Sequence, residues 1–270
     1  MEAVIMKKII SIIVAMAMLA VPACLMSCGS EDNTLTMATN ASFPPYEYME
    51  SGEVVGIDAE IAAKIAEKIG MELEIIDTEF DSIIAGVQSG KYDMGMAGMT
   101  VTEDRLKSVN FSSTYAKGVQ VVIVKEDFEY ASYEDFYTGY DDEGNPTGVI
   151  DGIKIGVQQG TTGDIYASSA PEDWGFGEDK ITRYKTGADA VQALVAGKID
   201  CVIIDNEPAK NYVEANEGLK ILDTSYTEED YAIAIAKDNE ELLNKINDAL
   251  AELTEEGVID EIIEKYIPAE

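Results

Sequence analysis

The chain has 270 residues, enough for one large domain or two small ones, and its apolar share is ordinary for a protein that folds. Its 19 basic against 52 acidic residues give a formal charge of −33, which argues against nucleic acid as a partner. The absence of histidine removes His-based metal sites, Ser-His-Asp triads and Cys-His pairs together. In chain order, Lys7 and Lys8 precede an apolar run from Ile9 to Met26, broken only by Ser11 and Pro22. A basic segment followed by an apolar one reads as an export leader, with Met6 an alternative start.

Leu25-Met26-Ser27-Cys28-Gly29-Ser30 resembles the bacterial lipobox, in which the cysteine becomes the lipidated first residue of the mature protein. That resemblance implies a leader over 1–27, lipid on Cys28, a short tether to residue 34, and residence at the outer face of the cytoplasmic membrane. Cys24 then leaves with the leader, so Cys201 is the one cysteine of the folded part. No intramolecular disulfide is expected, and the run Cys201-Val202-Ile203-Ile204 reads as a buried strand.

Beyond the tether, strand-like and helix-like segments alternate. Strands are predicted at Leu35–Thr39, Leu73–Ile76 and Met94–Ala97, with helices at Asp58–Ile69 and Asp81–Ser89. Ile57, Ile61, Ile65 and Ile69 recur at spacing four, and Gly70 stops the first helix. Later strands are predicted at Ile153–Val157, Cys201–Ile204, Leu219–Leu222 and Tyr231–Ala236. Helices are expected at Ala188–Ala196, Glu207–Ala215, Glu240–Thr254 and Val258–Tyr266. Alternation of this kind points to α/β sheets covered by helices. The acidic stretch 127–152 reads as a solvated surface excursion. It lacks the alternating ligand spacing of a calcium loop, and neither metal nor cofactor is expected.

One internal echo suggests two lobes of similar build. In Gly90-Lys91-Tyr92-Asp93 and in Gly197-Lys198-Ile199-Asp200 a helix ends at glycine, and Lys-x-Asp leads into an apolar strand. The expected division is 35–124 with 226–270 in one lobe and 125–225 in the other. Crossings would fall at Val124-Lys125 and Ser225-Tyr226.

Ligands of open α/β sheets sit beyond the carboxyl ends of strands. The residues just after the predicted strands include Asn40, Ser42 and Phe43, then Gly98, Met99, Thr100, Thr102 and Arg105. Gln159, Gly160, Thr161 and Thr162 follow the third strand, and Asp205 follows the fourth. One guanidinium, one carboxylate, several hydroxyls and an aromatic ring complement an α-amino acid. Each has a plainer reading: Arg105 as a surface ion pair with Glu103 or Asp104, Asp205 as a helix cap, Phe43 as core.

The segments Ala38-Thr39-Asn40-Ala41-Ser42-Phe43-Pro44-Pro45-Tyr46-Glu47-Tyr48, Gly56-Ile57-Asp58, Gly98 to Arg105, Phe111-Ser112, Tyr115, Gly156 to Thr162 and Gly197 to Asp200 with Asp205 occur in order. Together they resemble the polar amino-acid-binding proteins of bacterial uptake transporters, extracellular solute-binding family 3, over nearly all of residues 34–267. The resemblance implies a two-lobe, type II periplasmic-binding fold that closes on a free L-amino acid and is recognised by an ABC transporter permease. It implies that Arg105, Thr100 and Thr162 bind the ligand carboxylate with backbone help near Gly98. Asp205 would bind the ammonium, and Phe43 and Phe80 would sandwich the side chain. Met99, Gln159 and Thr161 complete the expected site. Asn40 stands where the family often has an acid, which speaks against a basic ligand. A dehydratase of the same fold, with Asp205 or Glu47 as cleft acid, is the enzymatic alternative; a second catalytic partner is not visible. Monomer is the default state.

Overall fold

The computed structural model describes residues 33–223 and 225–268; the leader and Cys28 lie outside them. The first sheet contains β1 (Thr34–Thr39), β5 (Glu72–Asp77), β6 (Met94–Gly95), β7 (Val109–Phe111) and β14 (Ala234–Ala236). A hairpin sheet, β2 (Ser42–Phe43), β3 (Glu47–Glu50) and β4 (Glu53–Val55), stands beside it. The second sheet contains β8 (Ala116–Lys125), β9 (Ile155–Gln158), β10 (Ile181–Tyr184), β11 (Cys201–Asp205), β12 (Leu219–Ile221) and β13 (Thr227–Tyr231). Helices are α1 (Ile57–Ile69), α2 (Phe80–Gln88), α3 (Glu103–Ser108), α4 (Thr162–Ser168), α5 (Gly187–Val195), α6 (Asn206–Ala215), α7 (Glu240–Glu255) and α8 (Val258–Tyr266).

The two main sheets share one plan. The first runs β5-β1-β6-β14-β7 and the second β10-β9-β11-β8-β12. In each, three parallel strands are followed by an antiparallel strand from elsewhere in the chain. The sequence echo marks the third strand of both. Gly90 and Gly197 take left-handed φ values of 72° and 68°, which glycine adopts without a steric cost. Asp93 then accepts from Thr36 N, and Asp200 from Lys154 N, each at 2.8 Å. An aspartate at the same place thus ties this strand to its parallel neighbour, β1 in one sheet and β9 in the other.

Pleating buries both faces of the first sheet. Leu35 and Met37 join Ile57, Ile61 and Ile65 of α1 and the apolar stripe of α7, while Ala38 faces Ile83 and Val87 of α2. In the second sheet Ile123, Val202 and Ile204 pack with Val191 and Leu194 of α5; Val122, Val124 and Cys201 face the other way. Cys201 is fully buried, and burial pushes its thiol pKa up, consistent with an inert core residue.

Several elements differ from their predicted form. The predicted strand Tyr231–Ala236 is two strands, because the chain leaves the second sheet after Tyr231 and enters the first at Ala234. The strand β8 pairs with β11, β12 and β13 in the second sheet. Both Val124-Lys125 and Ser225-Tyr226 therefore lie on the second sheet's side, and the chain passes between sheets at 112–115 and 232–233. These passages bond to each other: Ser112 N donates to Ile233 O at 2.9 Å and Tyr115 N to Tyr231 O at 3.0 Å. The stretch 127–152 is not a solvated excursion throughout. Phe136 is fully buried and packs edge-to-face with Phe128 and Tyr130 and against the tilted ring of Phe176, so the aromatic residues of this stretch close the outer core of the second sheet. Its tip is an Asx turn, with Asp141 Oδ1 accepting from Glu143 N and Asn145 N.

Candidate functional site

The carboxyl ends of β1, β6, β9 and β11 face one nearly closed cavity of about 10 Å³. Asn40, Phe43, Phe80, Gly98, Thr100, Arg105, Thr161, Thr162 and Asp205 line it, joined by Glu47, Ala97 and Gln158. Two expected residues do not. Met99 is fully buried in the core beside α2, since alternation turns Thr100 to the cavity and its neighbour away. Gln158, not Gln159, points inward; Gln159 is exposed and donates from Nε2 to Asp81 Oδ2 at 2.7 Å.

Arg105 is 8 % exposed and makes no ion pair with its sequence neighbours; Asp104 pairs with Lys107 instead. Thr102 caps α3 by accepting from Arg105 N, which fixes where the arginine leaves the chain. The guanidinium donates to Thr100 O at 2.6 Å and to Gly160 O at 3.0 Å, and lies 5.4 Å from the centre of the Phe80 ring. It therefore joins the loop after β6 to the loop after β9. Burial lowers its pKa, with Glu229 opposing. Asn40 makes a similar tie: its Nδ2 donates to Thr78 O, and its Oδ1 accepts from Gln158 Nε2, both at 2.8 Å.

Asp205 heads α6 without capping it by its side chain. Its carboxylate accepts instead from Gln120 Nε2 at 2.8 Å and from the Tyr231 hydroxyl. Gln120 Nε2 also donates to Glu229 Oε2 at 3.0 Å, which accepts from Thr100 Oγ1 at 2.9 Å. Burial, then Glu229, push the Asp205 pKa up to about 7. Glu47, also on the cavity lining, is 1 % exposed, and burial followed by the neighbouring Asp58 pushes its pKa well up. Asp58 is raised to about 6 by burial, tempered by the Gly98 N–H and the Tyr115 hydroxyl. Among the described residues, the buried side-chain oxygens without a hydrogen-bond partner are Thr39 Oγ1, Glu47 Oε2, Gln120 Oε1 and Glu229 Oε1. Glu47 lines the cavity; Gln120 and Glu229 bond directly to residues that do. A buried acceptor left unpaired is costly, so the site suits a ligand rich in donors. Among the described residues no group of acidic or cysteine side chains forms a metal site.

Glycine is required where β8 passes Tyr231. A Cβ on Gly118 would stand 2.1 Å from the Tyr231 hydroxyl oxygen and 2.4 Å from Cζ. Gly118→Ala is expected to displace that ring from Asp205 and to cost about 1–3 kcal/mol of stability by overpacking, read from denaturant unfolding. An unchanged midpoint would show that the ring has room to move.

Two mixed sheets of one plan, meeting at a polar cavity beyond their strand ends, define a two-lobe periplasmic-binding fold. The chain belongs to the bacterial extracellular solute-binding proteins, family 3, whose model matches residues 35–269. It is accordingly a binding protein and not an enzyme. The arginine-binding extracellular protein ArtP of Bacillus subtilis (strain 168) is 32 % identical over 267 residues, covering 94 % of this chain and 98 % of that one. An ancestral arginine-binding protein bound to arginine is 37 % identical with a TM-score of 0.76, covering 87 % and 98 %. The arginine-, lysine-, histidine-binding protein ArtJ of the thermophilic bacterium Geobacillus stearothermophilus is 29 % identical with a TM-score of 0.77, covering 88 % and 96 %.

Proposed function

We propose that the chain is the receptor of an ABC amino-acid importer, held at the outer face of the cytoplasmic membrane by lipid on Cys28, and that its ligand is a free amino acid with a cationic side chain. One observation carries the choice of ligand. A single buried guanidinium shares the cavity with Glu47 and Asp205, with Glu229 behind, and the unpartnered oxygens around it are acceptors. A zwitterion adds no net charge to this set, whereas a cationic amino acid offsets part of the surplus. The expectation that Asn40 speaks against a basic ligand gives way here, because its side chain is committed to ties within the protein and Glu47 would supply the carboxylate that Asn40 lacks. The relatives named for arginine, lysine and histidine support the same reading.

Arg105 would hold the α-carboxylate together with Thr100 and Thr162, Asp205 the ammonium, and Glu47 the side-chain cation. Phe43 and Phe80 would flank the aliphatic part. The lobes would hinge at 112–115 and 232–233, where the two passages are bonded to one another. A ligand gripped from both sides favours the closed state by its differential affinity, and the permease would read that state. A thermal-shift panel of the common amino acids tests this reading. A ligand at 100 times its dissociation constant stabilises by about 2.7 kcal/mol. Arginine, lysine or histidine is expected to give the largest rise in midpoint, and no rise with any amino acid would end the proposal.

A pH dependence follows. Between the ordinary carboxylate value near 3.8 and about 7, folded Asp205 holds a proton that the unfolded chain has lost. The stability controlled by this group in the free protein therefore falls as pH rises through that window. Ligand binding runs the other way, because an ammonium favours the ionised form. Arginine affinity is expected to fall as pH is lowered through 7, with proton release on binding near neutrality, both measured by calorimetry in buffers of different ionisation enthalpy. Affinity that rises on acidification would contradict this assignment.

A further inference from the structure

Outside the amino-acid cavity, the second sheet's outer core opens at an aromatic-walled pocket of about 290 Å³. Tyr133, Tyr166, Trp174 and Tyr226 form its walls, with Asp173 and Thr227 at the edge. The rings do not stack into a closed layer. Tyr133 and Tyr226 meet at 76° with centroids 5.0 Å apart, and Tyr166 is inclined at 42° to Tyr226. Trp174 is 44 % exposed and sits at φ 60° at the end of a short turn, with Tyr137 against its edge. The hydroxyls of Tyr137 and Tyr226 both donate to the Trp174 carbonyl oxygen, which pins the tryptophan in this position.

The chemistry of these walls is selective. No lysine or arginine lines the pocket, and Asp173 has no ion-pair partner among the described residues. The Tyr226 hydroxyl is already committed; the Tyr133 and Tyr166 hydroxyls and the Trp174 N–H are neutral donors, and the one charged group of the lining is the Asp173 carboxylate beside the aromatic rings. Anions are disfavoured by this set. A compact organic cation is favoured, since its charge is attracted to ring faces and its alkyl surface is desolvated by them. The pocket also abuts the amino-acid cavity. Thr162 and Tyr166 lie four apart on α4, and Glu229 and Thr227 two apart on β13, so each element presents one residue to the cavity region and the next on that face to the pocket.

We infer that this pocket is a second binding site, separate from the amino-acid cavity, for a small quaternary or alkylated ammonium compound. The test titrates the full chain with choline and with its uncharged tert-butyl isostere, in which carbon replaces nitrogen. Trp174 is the one tryptophan of the sequence, so its emission reports on this pocket. Choline is expected to produce a saturable change that persists in the presence of saturating arginine, and the isostere none at equal concentration. Tyr133→Ala and Asp173→Asn are each expected to weaken choline binding by about fivefold or more, while arginine binding, which also reports folding, is kept. No saturable response to choline, an equal response to the isostere, or unchanged choline affinity in both variants would overturn the inference. Arginine binding is measured separately, so failure here leaves the reading of the main cavity standing.

Discussion

Arg105→Ala is expected to weaken amino-acid binding by more than about 2 kcal/mol, roughly 30-fold in dissociation constant. The guanidinium uses two of its five N–H groups on the carbonyls of Thr100 and Gly160, leaving the others for a carboxylate. Its removal would strand a ligand carboxylate in a buried site that holds an excess of acids. It would also cut the tie between the loops after β6 and β9, so part of the loss reflects weaker closure. Arg105→Lys separates the two contributions. It keeps the charge but cannot make the planar two-point contact, so binding is expected to fall less than in the alanine variant. Titration calorimetry that finds wild-type affinity in Arg105→Ala would remove this residue from the site.

Glu47→Gln is expected to act on ligand choice. The substitution keeps the shape of the side chain and removes only its capacity for charge. Hydrogen bonds to charged groups are worth about 1.5–3 kcal/mol, so arginine affinity is expected to drop by roughly 10- to 100-fold. Glutamine, which carries no side-chain cation, should bind the variant no worse than it binds the wild type. Burial and Asp58 raise the Glu47 pKa, so arginine should release a proton from this carboxyl on binding to the wild type, and that share should vanish in the variant. Equal losses for arginine and glutamine would mean that Glu47 shapes the cavity without reading the cation.

Much of the scaffold was legible because its signals are local. Isoleucines at spacing four marked α1, and two glycines requiring positive φ marked the third strand of each sheet. The positions after those strands delivered most of the cavity, since parallel strands in such sheets deliver their loops to one edge. What escaped was set by register and by distant packing. One residue of pleat decides between Met99 and Thr100, and between Gln158 and Gln159, and loop sequences do not declare that parity. From the sequence Glu47, between two tyrosines, stands only as the cleft acid of the enzymatic alternative and not as a ligand-binding residue. Its burial arises only when the β2–β4 hairpin folds beside Asp58 and the end of β6. Glu229 lies in the acidic run Glu228-Glu229-Asp230, where alternation buries the middle residue at 5 % exposure and leaves its neighbours in water. The aromatic residues of 127–152 were masked by the acids among them. They form core because Phe176 and Tyr226, far along the chain, complete the cluster.

The decisive comparison is calorimetric titration of the protein with arginine and with citrulline, which share the α-amino acid and differ in the charge of the side-chain end. Tight arginine binding with citrulline weaker by at least roughly tenfold is predicted, as expected when buried carboxylates lose a charged partner. Equal affinity for the two, or no heat from either, would contradict the claim that opposed charges across this cavity grip a cationic amino acid.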